Sequence, residues 1–109
     1  MKKSDKKIES VLITVLTDVC HIAQEKYNGF EWLTHFANYN SFPSSLSIVC
    51  VYDTNQHLKN ADIGGLCELI NDKLLTIDIN IKDIRRQINF DTEENCNHEH
   101  NGNWNERFK

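Results

Sequence analysis

The densest set of soft-metal ligands in the chain is Cys96, His98 and His100, in the string CNHEH. Zinc is held by thiolate sulfur and imidazole nitrogen in a tetrahedron. In an extended segment the alternate spacing puts all three side chains on one side; in a helix Cys96 and His100 share a face and His98 turns away. No paired C-x-x-C accompanies them, so the competing reading is a polar, partly exposed helix. A second set, His35, Asp53, Asp91, Glu93 and Glu94, offers carboxylates and an imidazole for a magnesium site or for acid–base work. The nuclease arrangement of an Asp followed by Glu-x-Lys on the next strand is missing. Asp53 reads as the start of a turn, Asp91 as a helix cap and His35 as a half-buried strand residue. Cys50 lies in the apolar run SIVCVY, which raises a thiol's pKa and silences it as a nucleophile.

The formal net charge of −4 argues against a protein that wraps nucleic acid non-specifically, a mode that needs many Lys and Arg against phosphates. Two local basic clusters remain: Lys2, Lys3, Lys6 and Lys7 at the amino terminus, and Lys82, Arg85 and Arg86 late in the chain. The latter three are candidate nucleic-acid contacts, with solvated surface charge as the alternative. Gly64-Gly65 before a helix lacks the preceding strand and the lysine of a phosphate loop, and the helix that follows is too poor in basic residues to read a groove.

These residues need elements to position them. At 109 residues, 39% hydrophobic and 26% charged, the chain fits one globular domain rather than a disordered segment. From Ser4 to Asn28, Ile8, Val11, Leu12, Val15, Val19, Ala23 and Tyr27 recur at three- and four-residue steps, which predicts a helix capped by Ser4 and ended by Gly29. Glu31 to Tyr39 and Ser45 to Asp53 read as antiparallel strands joined by a turn holding the only proline, Pro43. Residues 53–61, DTNQHLKNA, read as a mobile polar connection. Ile63, Leu66, Cys67, Ile70, Leu74 and Ile77 predict a second helix with Asp62 as cap, and residues 84–90 a short third strand.

Pairing Tyr39 with Ser45 sets Phe36 opposite Ile48 and Trp32 opposite Tyr52, gathering Trp32, Phe36, Leu46, Ile48, Cys50 and Tyr52 on one face. The other face carries Leu33, His35, Ala37, Tyr39, Val49 and Val51, too apolar to be bare, and calls for cover by the tail or by a second subunit. Asp91 and Glu94 are spaced like a capping box for a short helix from Thr92 towards His100. Beyond Asn101-Gly102, Trp104 and Phe108 share a face and are expected to dock on the body or on a neighbouring chain.

The strings GFEWLTHFANYNSFPSSLSIVCVYDT, INFDTEENC and HNGNWNERF resemble a family of short bacterial proteins, some labelled transcriptional regulators of the factor-for-inversion-stimulation type. That resemblance implies DNA binding through a carboxy-terminal helix-turn-helix. The tail ENCNHEHNGNWNE is acidic and rich in asparagine, and no functional residue is carried over.

The sequence thus predicts a single α+β domain over residues 1–109, with 91–109 a polar C-terminal helix and tail. Its sheet is small, three-stranded and mainly antiparallel, with two main helices on one face, in the order α-β-β-α-β plus a short C-terminal helix. The four cysteines look like free thiols and MKKSDKKIES does not read as a secretory signal, so the cytoplasm is expected. No apolar run reaches the ~18 residues of a membrane span. The expected role is binding or regulation through protein–protein contacts, without a cofactor, the question of catalysis being left open with a non-enzyme favoured. The partner is a second copy, through Leu33, His35, Tyr39, Val49, Val51, Trp104 and Phe108, or another protein. The alternatives are a DNA-binding regulator and a metal-dependent hydrolase or nuclease.

Overall fold

A computed structural model describes residues 3–109; Lys2 of the amino-terminal basic cluster lies outside the described residues. Helix α1 (Lys3–Lys26) turns its apolar stripe, Leu12, Leu16, Val19 and Ala23, inward. The β-branched run VLITVLT stays helical because that stripe has somewhere to go. Gly29, at φ +86°, ends the turn after it. Strands β1 (Phe30–Phe36) and β2 (Ser47–Tyr52) then form an antiparallel hairpin.

The chain between β2 and β3 (Ile88–Thr92) carries α2 (Asn55–Lys59), α3 (Ile63–Leu75) and α4 (Ile84–Gln87). The tail adds α5 (Glu93–His100) and α6 (Trp104–Arg107). The α+β class and the three-stranded sheet of the sequence reading stand, in the order β1-β2-β3. The mainly antiparallel arrangement does not extend to β3, which runs parallel to β2. A parallel neighbour needs a crossover of a dozen or more residues, and residues 53–87 with their three helices supply it. The expected strand over 84–90 begins only at Ile88, since Asp83 caps a helical turn there by accepting the Arg86 N–H. The expected mobile connection at 53–61 contains α2, capped by Thr54.

The hairpin register is one residue away from the expected one. Phe36 faces Ser47, His35 faces Ile48 and Leu33 faces Cys50, and an irregularity between Phe30 and Trp32 lets Phe30 face Tyr52. The extra residue allows Phe30 and Leu33, three apart, to pack on the same core. Trp32 and Phe36 therefore leave the predicted core set for the opposite side of the sheet. The expected register followed from putting every large group on one face; the chain instead provides a second cover.

On the first face, Leu66, Ile70 and Leu74 of α3 join the α1 stripe over Ile48, Cys50 and Tyr52, with Ile79, Ile81 and Ile88 at the margin. Each such side chain contributes about 1.5–3 kcal/mol by leaving water. On the second face, Trp32 meets Trp104 edge-on at 4.8 Å and Phe36 meets Phe108 at 5.1 Å. No helix among the described residues is long and apolar enough to cross a membrane.

Candidate functional site

Both parallel strands end in the same way. Asp53-Thr54 follows β2 and Asp91-Thr92 closes β3. Each aspartate accepts the N–H of the next threonine, at 2.6 and 2.8 Å. Each threonine hydroxyl then accepts the N–H three residues on, from His57 and Asn95, and so caps α2 and α5. The capping residue of α5 is thus Thr92, not the Asp91 expected from the sequence. Asn55 ties the two corners together. Its N–H donates to Glu94 Oε1, its amide donates to Asn95 Oδ1, and its Oδ1 accepts the buried Thr92 hydroxyl at 2.7 Å.

The aspartates differ in their further partners. Asp53 Oδ1 lies 2.7 Å from His57 Nδ1. A Cβ at Gly29 would fall 2.5 Å from the His57 Cβ, so that corner admits glycine alone, in addition to its positive φ. Asp91 is gripped by both arms of Arg107, Nη2 donating to Oδ1 at 2.9 Å and Nε to Oδ2. Burial pushes both carboxyls up, but the Arg107 fork and the Thr92 N–H outweigh it at Asp91, as the His57 ring and the Thr54 N–H do at Asp53. Both end below the usual carboxylate value.

The remaining candidates are held apart by structural partners. Glu93 Oε1 accepts both indole N–H groups, from Trp32 at 2.7 Å and Trp104 at 3.1 Å. His35 Nε2 sits 2.8 Å from Glu9 Oε1 of α1, on the helix side of the sheet. Leu33 packs there too, against the core, while Val51 is fully buried on the tail side. The predicted interface set is therefore split between the two faces, and the sheet's second face is filled by the chain's own tail. Tyr39 stacks obliquely on Phe42 in the turn between β1 and β2.

Cys96, His98 and His100 fall on α5, where the helical alternative holds. Cys96 is completely buried and its thiol is pushed up by that burial. His98 is exposed, and His100 Nδ1 lies 3.1 Å from Arg107 Nη1. Among the described residues no three His, Cys, Asp or Glu side chains come close enough together to hold a metal ion. Cys50 is raised to about 12 by burial and by the neighbouring Cys67 and Cys20 thiols, in keeping with an inert core cysteine.

Lys82 and Arg86 meet at a cleft of about 290 Å³ facing the turn Ser41–Ser44; Arg85 is exposed outside its lining. Sequence reasoning missed Gln87, which organises this cleft, and took Glu93 as a candidate metal or acid–base carboxylate rather than as the shared indole acceptor. A signal for the twin corners was present, in the recurrence of an aromatic residue followed by Asp-Thr at 52–54 and 90–92. No family model, curated protein or solved structure matches the chain.

Proposed function

We propose that the protein is a small binding or regulatory module that acts through protein–protein contacts, with a second copy of itself as its partner. This reading rests on one row of aromatic rings. Trp32, Trp104, Phe108 and Phe36 touch in sequence, at centroid separations of 4.8, 5.3 and 5.1 Å. The row follows β1, an edge strand of the sheet. Its inner end is anchored on Glu93. Its outer end leaves Phe36 45% and Phe108 36% exposed. Contacting phenyl rings at a surface, braced from behind by packed tryptophans, have the composition of an interface anchor.

The strand-end carboxylates support the same reading from another direction, because the donors of the fold already occupy them. Self-association is measured by light scattering over a concentration series. The expected mass rises from 12.7 kDa to twice that value, and Phe36→Ser together with Phe108→Ser returns the monomer. A monomer at every concentration overturns the second copy as partner.

A further inference from the structure

We propose that the cleft between the Ser41–Ser44 turn and α4 binds a small phosphate monoester, with Lys82, Arg86 and Ser41 on the phosphate and Phe42 against the ester's apolar body. The inference goes beyond self-association and stands on other residues.

The cleft is built by a buried side chain. Gln87 is 2% exposed. Its amide nitrogen donates to Pro43 O at 2.9 Å and to Leu46 O at 3.0 Å, while its Oε1 accepts the Asp83 N–H. One residue therefore fixes the turn on one wall and the start of α4 on the other. A buried amide with its donors and acceptor engaged is a rigid fixture. Arg86 adds a second tie, donating from Nη2 to Ser44 O at 2.8 Å. Its side chain is thus oriented before any ligand arrives, which lowers the ordering cost of binding.

The charges do not cancel. Asp83 also lines the cleft, but its Oδ1 accepts the Arg86 N–H and its Oδ2 lies 3.5 Å from Arg86 Nε. Asp83 therefore balances Arg86 and leaves Lys82 over. Among the described residues Lys82 has no hydrogen-bond or ion-pair partner, and neither does the Ser41 hydroxyl. An ammonium, a guanidinium and a hydroxyl thus belong to three residues that line one cleft, more donors than one carboxylate needs and suited to three terminal phosphate oxygens.

The wall opposite α4 sets the rest of the ligand. Phe42 is shared with a neighbouring groove of about 320 Å³ lined by the aliphatic Ile8, Val11, Ile77 and Ile79 together with Lys7 and Asp78. Val11 is left 39% exposed there. A basic cleft continuing past an aromatic ring into an aliphatic groove matches a molecule with an anionic end and an apolar body, at the size of ordinary small-ligand sites.

The test is a titration of the whole chain followed by amide NMR shifts, at ionic strength held constant with sodium chloride. The probes are phenyl phosphate, inorganic phosphate and benzoate. Phenyl phosphate is expected to move the amides of Ser41, Phe42 and Ser44 and of Lys82–Gln87 and to bind more tightly than either other probe. Lys82→Ala, at an exposed side chain with no partner to lose, should weaken it about tenfold, and Lys82→Glu should abolish it. Phe42→Leu should bring phenyl phosphate down to the affinity of inorganic phosphate. Unmoved amides in the cleft, or an affinity indifferent to both Lys82 variants, overturns the site. Benzoate binding as tightly as phenyl phosphate overturns the assignment of a phosphate.

Discussion

On the helix side of the sheet, Ile48, Cys50 and Tyr52 are met by aliphatic side chains of α1 and α3, from Leu12 to Ala23 on the first and from Leu66 to Leu74 on the second. On the tail side, Trp32 and Val51 are covered by two short helices, one of eight residues and one of four, and the half-exposed Phe36 meets Phe108 just beyond them. Helices this short do not hold themselves together in water. The first face is closed by area, the second by a few directed polar contacts set among aromatic rings. The Asp91–Arg107 fork and the shared Glu93 acceptor therefore weigh more in the tail than any comparable pair weighs on the helix side.

The largest effect that separates the two faces comes from the aliphatic layer. Leu66→Ala, at a fully buried α3 position, is expected to cost about 2–5 kcal/mol through lost transfer energy and the cavity left behind. Urea unfolding should then shift together by far-UV circular dichroism, which reports α1 and α3, and by tryptophan emission, which reports the tail. Separate transitions would show that the tail face unfolds on its own.

Next in size is the fork. Arg107→Ala leaves Asp91, whose side chain is 18% exposed, without its counter-charge, at a cost of about 2 kcal/mol. Its pH dependence has a definite sign. Asp91's carboxyl is held below its ordinary 3.8 in the folded chain. Its stabilisation is therefore fully present above that value and is lost as pH falls through the lower, folded one. Wild type should lose thermal stability on acidification in this window, and Arg107→Ala should lose less over the same range. Parallel acid profiles for the two proteins would remove the fork as the acid-sensitive lock, leaving Asp53 and its His57 partner as the remaining strand-end candidate.

How far the two faces could be read from sequence follows the same division. The aliphatic face was legible because its signals are local: a 3.6-residue stripe in α1, another in α3, and alternation in β2. Asp62 as the cap of α3 was legible too, and its side chain accepts the Gly65 N–H. The tail face was legible only as a need for cover, together with the expectation that Trp104 and Phe108 dock. Its particulars depend on pairs far apart in the chain, Trp32 with Glu93 and Asp91 with Arg107, which no periodicity announces. The register error came from the same source, since pattern reasoning placed Trp32 and Phe36 in the core without seeing that Trp104 and Phe108 would meet them outside it. The direction of β3 was hidden for another reason: its residues suit either orientation, and the crossover through α2, α3 and α4 decides. The cleft was half legible, as a basic cluster at Lys82, Arg85 and Arg86. Gln87, which gives it walls, carries no sequence signature at all.

The smallest of the three effects is the most specific to the tail. Both indole N–H groups converge on one oxygen of Glu93, and a charged acceptor makes each bond roughly twice as strong as a neutral one. Glu93→Gln keeps the shape and an acceptor oxygen but removes the charge, so a loss of about 1 kcal/mol is expected. Circular dichroism should hold, because α1 and α3 make no use of the residue. Tryptophan emission should move to the red as Trp104 loosens and water reaches the row. Glu93→Gln with emission and stability both unchanged would mean that ring contact alone holds the tail, and the contrast between a face closed by area and one closed by polar locks would then rest on Arg107 and Asp91 only.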